Sequence, residues 1–299
     1  MRAIRTSLST GLWLLALSSA WAQTNLDFTR TEDVIYGRKF GTALTLDVFQ
    51  PRPANGVGLI LMVSGGWFSS HDSISANNFR PLLNRGYTVF AVVHGSQPKF
   101  TITEIIPDIQ RAVRFIRHNA ARYGVDPNRL GITGGSAGGH LSLIMATQGG
   151  PGDPKAKDPV DRESSAVQCV ACFFPPTDFL NYGRPGDDAV GFGVLKPFQA
   201  AFGPGADTSD GRQKLGREIS PIYFIHSNMP PVLIIHGDAD KLVPIYQSQE
   251  FVRRCQAMGA TAKLVVRPGK NHGWPDLVKD EEFFADWFDQ YLRGIKPKP

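Results

Sequence analysis

The sequence predicts an α/β fold: a mostly parallel, twisted sheet with helices on both faces and a cap inserted late in the chain. Three observations predict it. Short continuous apolar runs, as a strand buried on both faces requires, recur along the chain. They alternate with segments whose apolar residues fall at helical spacing, and that alternation makes successive strands parallel. A glycine-rich turn at 134–138 joins one such run directly to a helix-forming segment.

The elements follow in order. Residues 43–49 (ALTLDVF) alternate as a half-exposed strand, and an antiparallel hairpin around 32–49 forms the sheet's edge. Residues 57–64 (VGLILMVS) and 87–93 (YTVFAVV) are buried strands, with a helix over 75–85 that ends before Gly86. Over 103–122, Ile105, Ile109, Ala112, Val113 and Ile116 mark the buried stripe of a helix. Arg111, Arg114, Arg117 and Arg122 read as its solvated face. A short strand at 129–133 precedes a helix at 137–147. Strands at 166–174, 231–236 (PVLIIH) and 262–267 (AKLVVR) follow, with helices at 245–258 and 281–293.

Residues 177–220 break the alternation. Proline and glycine punctuate them at Pro185, Gly186, Gly191, Gly193, Pro197, Gly203, Pro204 and Gly205. Phe179, Tyr182, Phe192, Phe198 and Phe202 lie among these, too aromatic for a disordered segment. The segment reads as a cap without regular structure. Phe192 and Phe198 are its substrate-pocket residues, and Trp67 is the facing wall.

The first 22 residues have another purpose. Arg2 and Arg5 precede the apolar stretch 11–20, which is too short to span a bilayer, and Ala20-Trp21-Ala22 is an A-x-A cleavage signal. A secretory signal peptide cut after Ala22 is expected, leaving residues 23–299 as one exported domain without stable membrane insertion. Losing two arginines lowers the formal charge from +5 to +3. With no aromatic-interleaved basic cluster, no nucleic-acid partner is expected. Cys169 and Cys172 lie three apart in a strand, so they point to opposite faces and read as buried apolar residues rather than a disulfide or zinc pair. No metal-ligand spacing appears, and neither metal nor cofactor is expected. The sequence leaves the oligomeric state open.

The chemistry centres on Gly134-Gly135-Ser136-Ala137-Gly138, a G-x-S-x-G turn between strand and helix. Small residues two before and two after the serine permit a turn tight enough to project its hydroxyl above the sheet. The segment holds no G-x-G-x-x-G and no Walker lysine, which argues against a phosphate site. A serine needs a base oriented by a carboxylate. Asp240 follows the strand 231–236 and His272 follows the strand 262–267, both at strand C-termini. The competing acid Asp238 directly follows Gly237 and reads as a turn former. His140 lies inside the helix that the serine opens and reads as packing. His236 reads as a satisfied core histidine, while His71 and His94 are placed at the pocket rim.

The signatures GGSAGGHL, HGDADKLVP, EISPI and NHGW resemble the α/β-hydrolase superfamily across nearly all of residues 23–299. More closely, they resemble bacterial esterase/lipase proteins and the catalytic domain of prolyl oligopeptidase-type peptidases. The resemblance implies a Ser136, Asp240, His272 triad acting on a small-molecule or polymer-borne ester. The chain departs from the esterase pattern HGGG or HGGxW: Val63-Ser64-Gly65-Gly66-Trp67 lacks the histidine, which leaves the register open. Gly66 belongs to the oxyanion hole in either register, with Gly65 or Trp67 beside it and Ala137 supplying the other donor. The rival readings are a peptidase or amidase, and a non-catalytic binding protein on the same fold.

Overall fold

The computed structural model describes residues 27–296. The predicted signal peptide, residues 1–22, lies outside them. Eight strands form one sheet in the order β1-β2-β4-β3-β5-β6-β7-β8. They are β1 (Phe28–Lys39), β2 (Thr42–Pro51), β3 (Gly58–Met62), β4 (Thr88–Val93), β5 (Leu130–Gly135), β6 (Cys169–Phe173), β7 (Val232–Gly237) and β8 (Ala262–Arg267). The first hairpin and the β2–β4 pair are antiparallel, and β4, β3 and β5 to β8 run parallel. The helices are α1 (Arg80–Asn84), α2 (Ile102–His118), α3 (Ala137–Gln148), α4 (Gln199–Phe202), α5 (Ser209–Ile219), α6 (Tyr246–Ala257) and α7 (Leu277–Arg293).

Strand alternation divides the interior in two. Ile60, Met62, Val170 and Cys172 join the core under α2, α3 and α6, while Leu59, Cys169 and Ala171 join the core under α1 and α7. The two cysteines therefore occupy opposite faces, as the strand period requires. Chain order changes direction at β3, which lies between β4 and β5, so the loops leaving β3 and β5 open a crevice at the strands' carboxyl edge.

Three expectations are corrected. The helix expected at 75–85 is a 3-10 turn, Ala76–Phe79, followed by the five-residue α1 with Pro81 in its first turn. The arginine face of α2 is not simply solvated. Arg117 donates to the carbonyls of Ser164 and Ala166, Arg114 to that of Glu163, and Arg111 reaches Asp158 and Asp161. These side chains bind the loop before β6 to the helix.

Residues 177–220 also differ from the expectation. They contain α4, α5 and 3-10 turns, and Phe179, Tyr182 and Phe202 are buried in the α3-side core rather than displayed on a lid. Burying an aromatic side chain outweighs the irregular backbone's lack of sheet bonding.

Candidate active site

The turn from β5 into α3 leaves Ser136 at φ 55°, ψ −121°, in the left-handed range that disfavours a side chain. Such strain costs about 1–3 kcal/mol and must be held by its surroundings. Here the Ser136 N–H donates to the Phe173 carbonyl (3.0 Å), and the His140 N–H donates to the Ser136 carbonyl (2.9 Å). Glycine is required on either side. A Cβ on Gly134 would lie 2.7 Å from the Gly138 backbone, and one on Gly138 would lie 2.6 Å from the Met62 carbonyl.

Loops after β7 and β8 bring two more groups to this turn. His272 Nε2 lies 2.9 Å from Ser136 Oγ, and its Nδ1 lies 2.7 Å from Asp240 Oδ2. The other Asp240 oxygen accepts the Leu242 and Val243 N–H groups, each at 2.9 Å. Burial alone would raise the Asp240 carboxyl. Hydrogen bonds from His236, His272 and the Val243 N–H outweigh that and hold it well below its ordinary range. The competing Asp238 accepts the Gly269 N–H at 2.6 Å, so it ties the two loops together from outside.

The register of the glycine loop is resolved by its hydrogen bonds. The Gly65 N–H donates to the Phe68 carbonyl (3.0 Å), so Gly65 is corrected: its donor is committed within the loop. The N–H groups of Gly66 and Trp67 have no acceptor among the described residues, and the Ala137 N–H heads α3 without an intrahelical partner. These three N–H groups remain uncommitted among the described residues.

The pocket expectation is also corrected. The Trp67 indole is 1% exposed, packs on Phe179, Phe198 and Phe202, and donates to His140 Nδ1 at 3.2 Å. It is a core group. Phe192 is half exposed with the Arg212 guanidinium 4.5 Å from its ring centroid, outside the site loops. Phe198 does reach the site: its ring covers Gly66 so closely that a Cβ there would come within 2.3 Å.

Residues 46–255, more than two thirds of the chain, match the model of the BD-FAE family. The chain belongs to that family. LipM of Mycobacterium tuberculosis, a probable carboxylic ester hydrolase, is 28% identical over 99% of this chain and 72% of its own length. Esterase LipQ of the same organism is 29% identical over 82% of this chain and 57% of its own. The chain thus spans between about half and three quarters of these curated relatives. Among solved structures, a truncated carbohydrate esterase from gut microbiota superposes with TM-score 0.73 at 28% identity, covering 91% of this chain and 99% of that one. These relatives set this BD-FAE member among the α/β-hydrolase carboxylic ester hydrolases.

Gln97 escaped sequence reading, whereas the histidines were singled out there. Gln97 Nε2 donates to the Gly66 carbonyl (2.5 Å), and its N–H donates to the Trp67 carbonyl (3.2 Å). Ser64 stands where the esterase pattern has histidine, and its Oγ meets His94 Nε2 at 2.9 Å. Burial pushes His94 down to about 4, so it is a neutral partner. His140, likewise pushed down to about 4 by burial, links Trp67 to the Ile219 carbonyl (2.7 Å). His236 is satisfied by Ser248 Oγ (2.7 Å) and the Val243 carbonyl (2.9 Å), and it also lies 3.3 Å from Asp240 Oδ2. His71 instead reaches Asp33 and Asp47 on the edge hairpin, where Arg30 already pairs with Asp47. The one signal available for His94 was its position at the carboxyl end of β4.

Proposed function

We propose that this chain is an exported serine carboxylesterase working through Ser136, His272 and Asp240. His272 Nε2 takes the Ser136 proton as Oγ attacks the ester carbonyl carbon. The carbonyl π pair moves onto oxygen, and the N–H groups of Gly66, Trp67 and Ala137 receive that charge. One such donor contributes about 3 kcal/mol to the transition state. As the tetrahedral intermediate collapses, its C–O bond to the alcohol breaks and His272 returns the proton to the departing oxygen. Water then attacks the acyl-enzyme by the same route and frees the acid and Ser136. Asp240, kept ionised, fixes the imidazole tautomer throughout.

The observation that carries this reading is the unbroken hydrogen-bond chain Ser136–His272–Asp240. Export is supported by the basic, apolar and A-x-A sequence of residues 1–22. The carbohydrate esterase that matches along nearly its whole length supports an ester carried on a sugar. A panel of nitrophenyl esters and aminoacyl anilides tests the reaction class. Ester turnover lowered about 10⁴-fold by Ser136→Ala supports the reading. Preferential anilide cleavage would make the chain an amidase or peptidase.

A further inference from the structure

Trp67 stands where a chain seldom places a tryptophan. Gly65 and Phe68 exchange both backbone hydrogen bonds, at 3.0 and 2.9 Å, which leaves Gly66 and Trp67 as the two central residues of a hairpin turn. Both have positive φ, 54° and 62°. Turns of that hand favour glycine and asparagine, and a bulky side chain in one is strained. Contacts outside the turn must therefore hold Trp67. The N–H groups of Gly66 and Trp67 are two of the three that the proposed mechanism uses.

The indole supplies that hold. It is buried among Phe179, Phe198 and Phe202, and its one polar group, Nε1–H, meets Nδ1 of the fully buried His140 at 3.2 Å. These partners settle the imidazole tautomer. An indole N–H only donates and a carbonyl only accepts, so His140 Nδ1 accepts from Trp67 and Nε2–H donates to the Ile219 carbonyl (2.7 Å) at the end of α5. Burial pushes His140 down to about 4, which keeps the ring in the neutral form this arrangement needs. The His140 N–H meanwhile donates to the Ser136 carbonyl (2.9 Å). One residue thus bonds to the serine turn, the glycine loop and the last helix of residues 177–220. The glycine loop and α3 also meet at Gly138, where a Cβ would lie 2.6 Å from the Met62 carbonyl oxygen and 3.4 Å from that of Ser64.

We propose that His140 is a positioning residue for ester hydrolysis: through the Trp67 indole it fixes the turn whose Gly66 and Trp67 N–H groups stabilise the oxyanion. The inference rests on the esterase reading and adds what sets one side of the oxyanion hole. Gln97 grips the same two residues by their carbonyls, so the turn is held by its backbone from β4 and by a side chain from α3. Without the Nδ1 acceptor the buried indole N–H is left unpaired. The strained turn then loses the bond that anchors it, and the direction of the Trp67 N–H follows the turn's dihedral angles. A histidine that only filled space would need neither a fixed tautomer nor a partner on the glycine loop.

Three variants and a ketone inhibitor test the proposal. His140→Leu removes both ring hydrogen bonds, Trp67→Phe removes only the indole N–H, and His140→Gln keeps an acceptor and a donor. On nitrophenyl acetate, His140→Leu and Trp67→Phe should each lower kcat about tenfold to a hundredfold while KM stays within about twofold. A trifluoromethyl ketone reads the oxyanion hole without turnover. Ser136 Oγ bonds to its carbonyl carbon, the hydroxyl proton passes to His272, and the carbonyl oxygen becomes an oxyanion with no leaving group to expel. Its inhibition constant should rise by about the factor by which kcat falls. His140→Gln should recover most of both losses, and the double variant His140→Leu, Trp67→Phe should lose little more than either single one. Unchanged ketone affinity in folded His140→Leu overturns the proposal, as do additive losses in the double variant. Should His140→Leu fail to fold, Trp67→Phe decides: kcat and ketone affinity falling together support the proposal, and either one unchanged overturns it. A wild type that neither turns over esters nor binds the ketone would strike the esterase reading instead.

Discussion

Gln97 carries more of the proposed oxyanion hole than its place in the sequence suggests. It is 4% exposed and hydrogen-bonds to the carbonyls of both Gly66 and Trp67, the residues whose N–H groups remain free. Gln97→Ala should lower kcat tenfold to a hundredfold with little change in KM, from a loss of about 1–3 kcal/mol in positioning. A KM effect alone would show that Gln97 shapes binding rather than the amides. At the acid, Asp240→Asn should cost about 10⁴ in kcat. Asp238→Asn, whose carboxylate only joins two loops, should cost far less, and the reverse ranking would exchange their roles. The Asp240 carboxyl also couples to stability. Its folded pKa lies below an unfolded value of about 3.9, so its contribution is present above that pH and is lost as pH falls through the folded value. The stability gap between wild type and Asp240→Asn, measured by urea unfolding, should therefore narrow below pH 4.

At the scale of elements, strands were the most legible feature. β3, β4, β5 and β7 are short apolar runs buried on both faces, and each appears within a few residues of its expected bounds. The serine turn was legible because only glycine satisfies its close approaches. The glycine loop's register was not, because it depends on Gln97, His94 and His140, which lie far away in sequence. Residues 177–220 were misread for a related reason. Glycine and proline announced irregular backbone but said nothing of which face the aromatics would take. Phe198 and Phe192 now separate. Phe198→Ala should raise KM for bulky esters, since contact area lost scales with substrate size. Phe192→Ala should leave KM for the same esters within twofold. Similar effects from both would restore the lid reading. Arg117→Ala should lower stability by about 1–3 kcal/mol, because it removes the donor to two loop carbonyls. Thermal unfolding would register that loss, and an unchanged midpoint would mean that water replaces the arginine.

For the whole molecule, the sheet gathers at one edge groups that stand 32 to 136 residues apart: Ser136 after β5, Asp240 after β7 and His272 after β8. Their order was readable because the fold places loops at strand C-termini in chain order. The proposed export is tested separately. Intact mass of protein recovered from the periplasm or medium should begin at Gln23, and full-length protein starting at Met1 in the membrane fraction would contradict that proposal. The central claim is that Ser136 is the nucleophile, and covalent labelling tests it most directly. After incubation with a fluorophosphonate, peptide mass mapping should find one adduct, on Ser136, formed far more slowly in His272→Ala. An adduct elsewhere, or ester turnover undiminished in Ser136→Ala, would contradict the account.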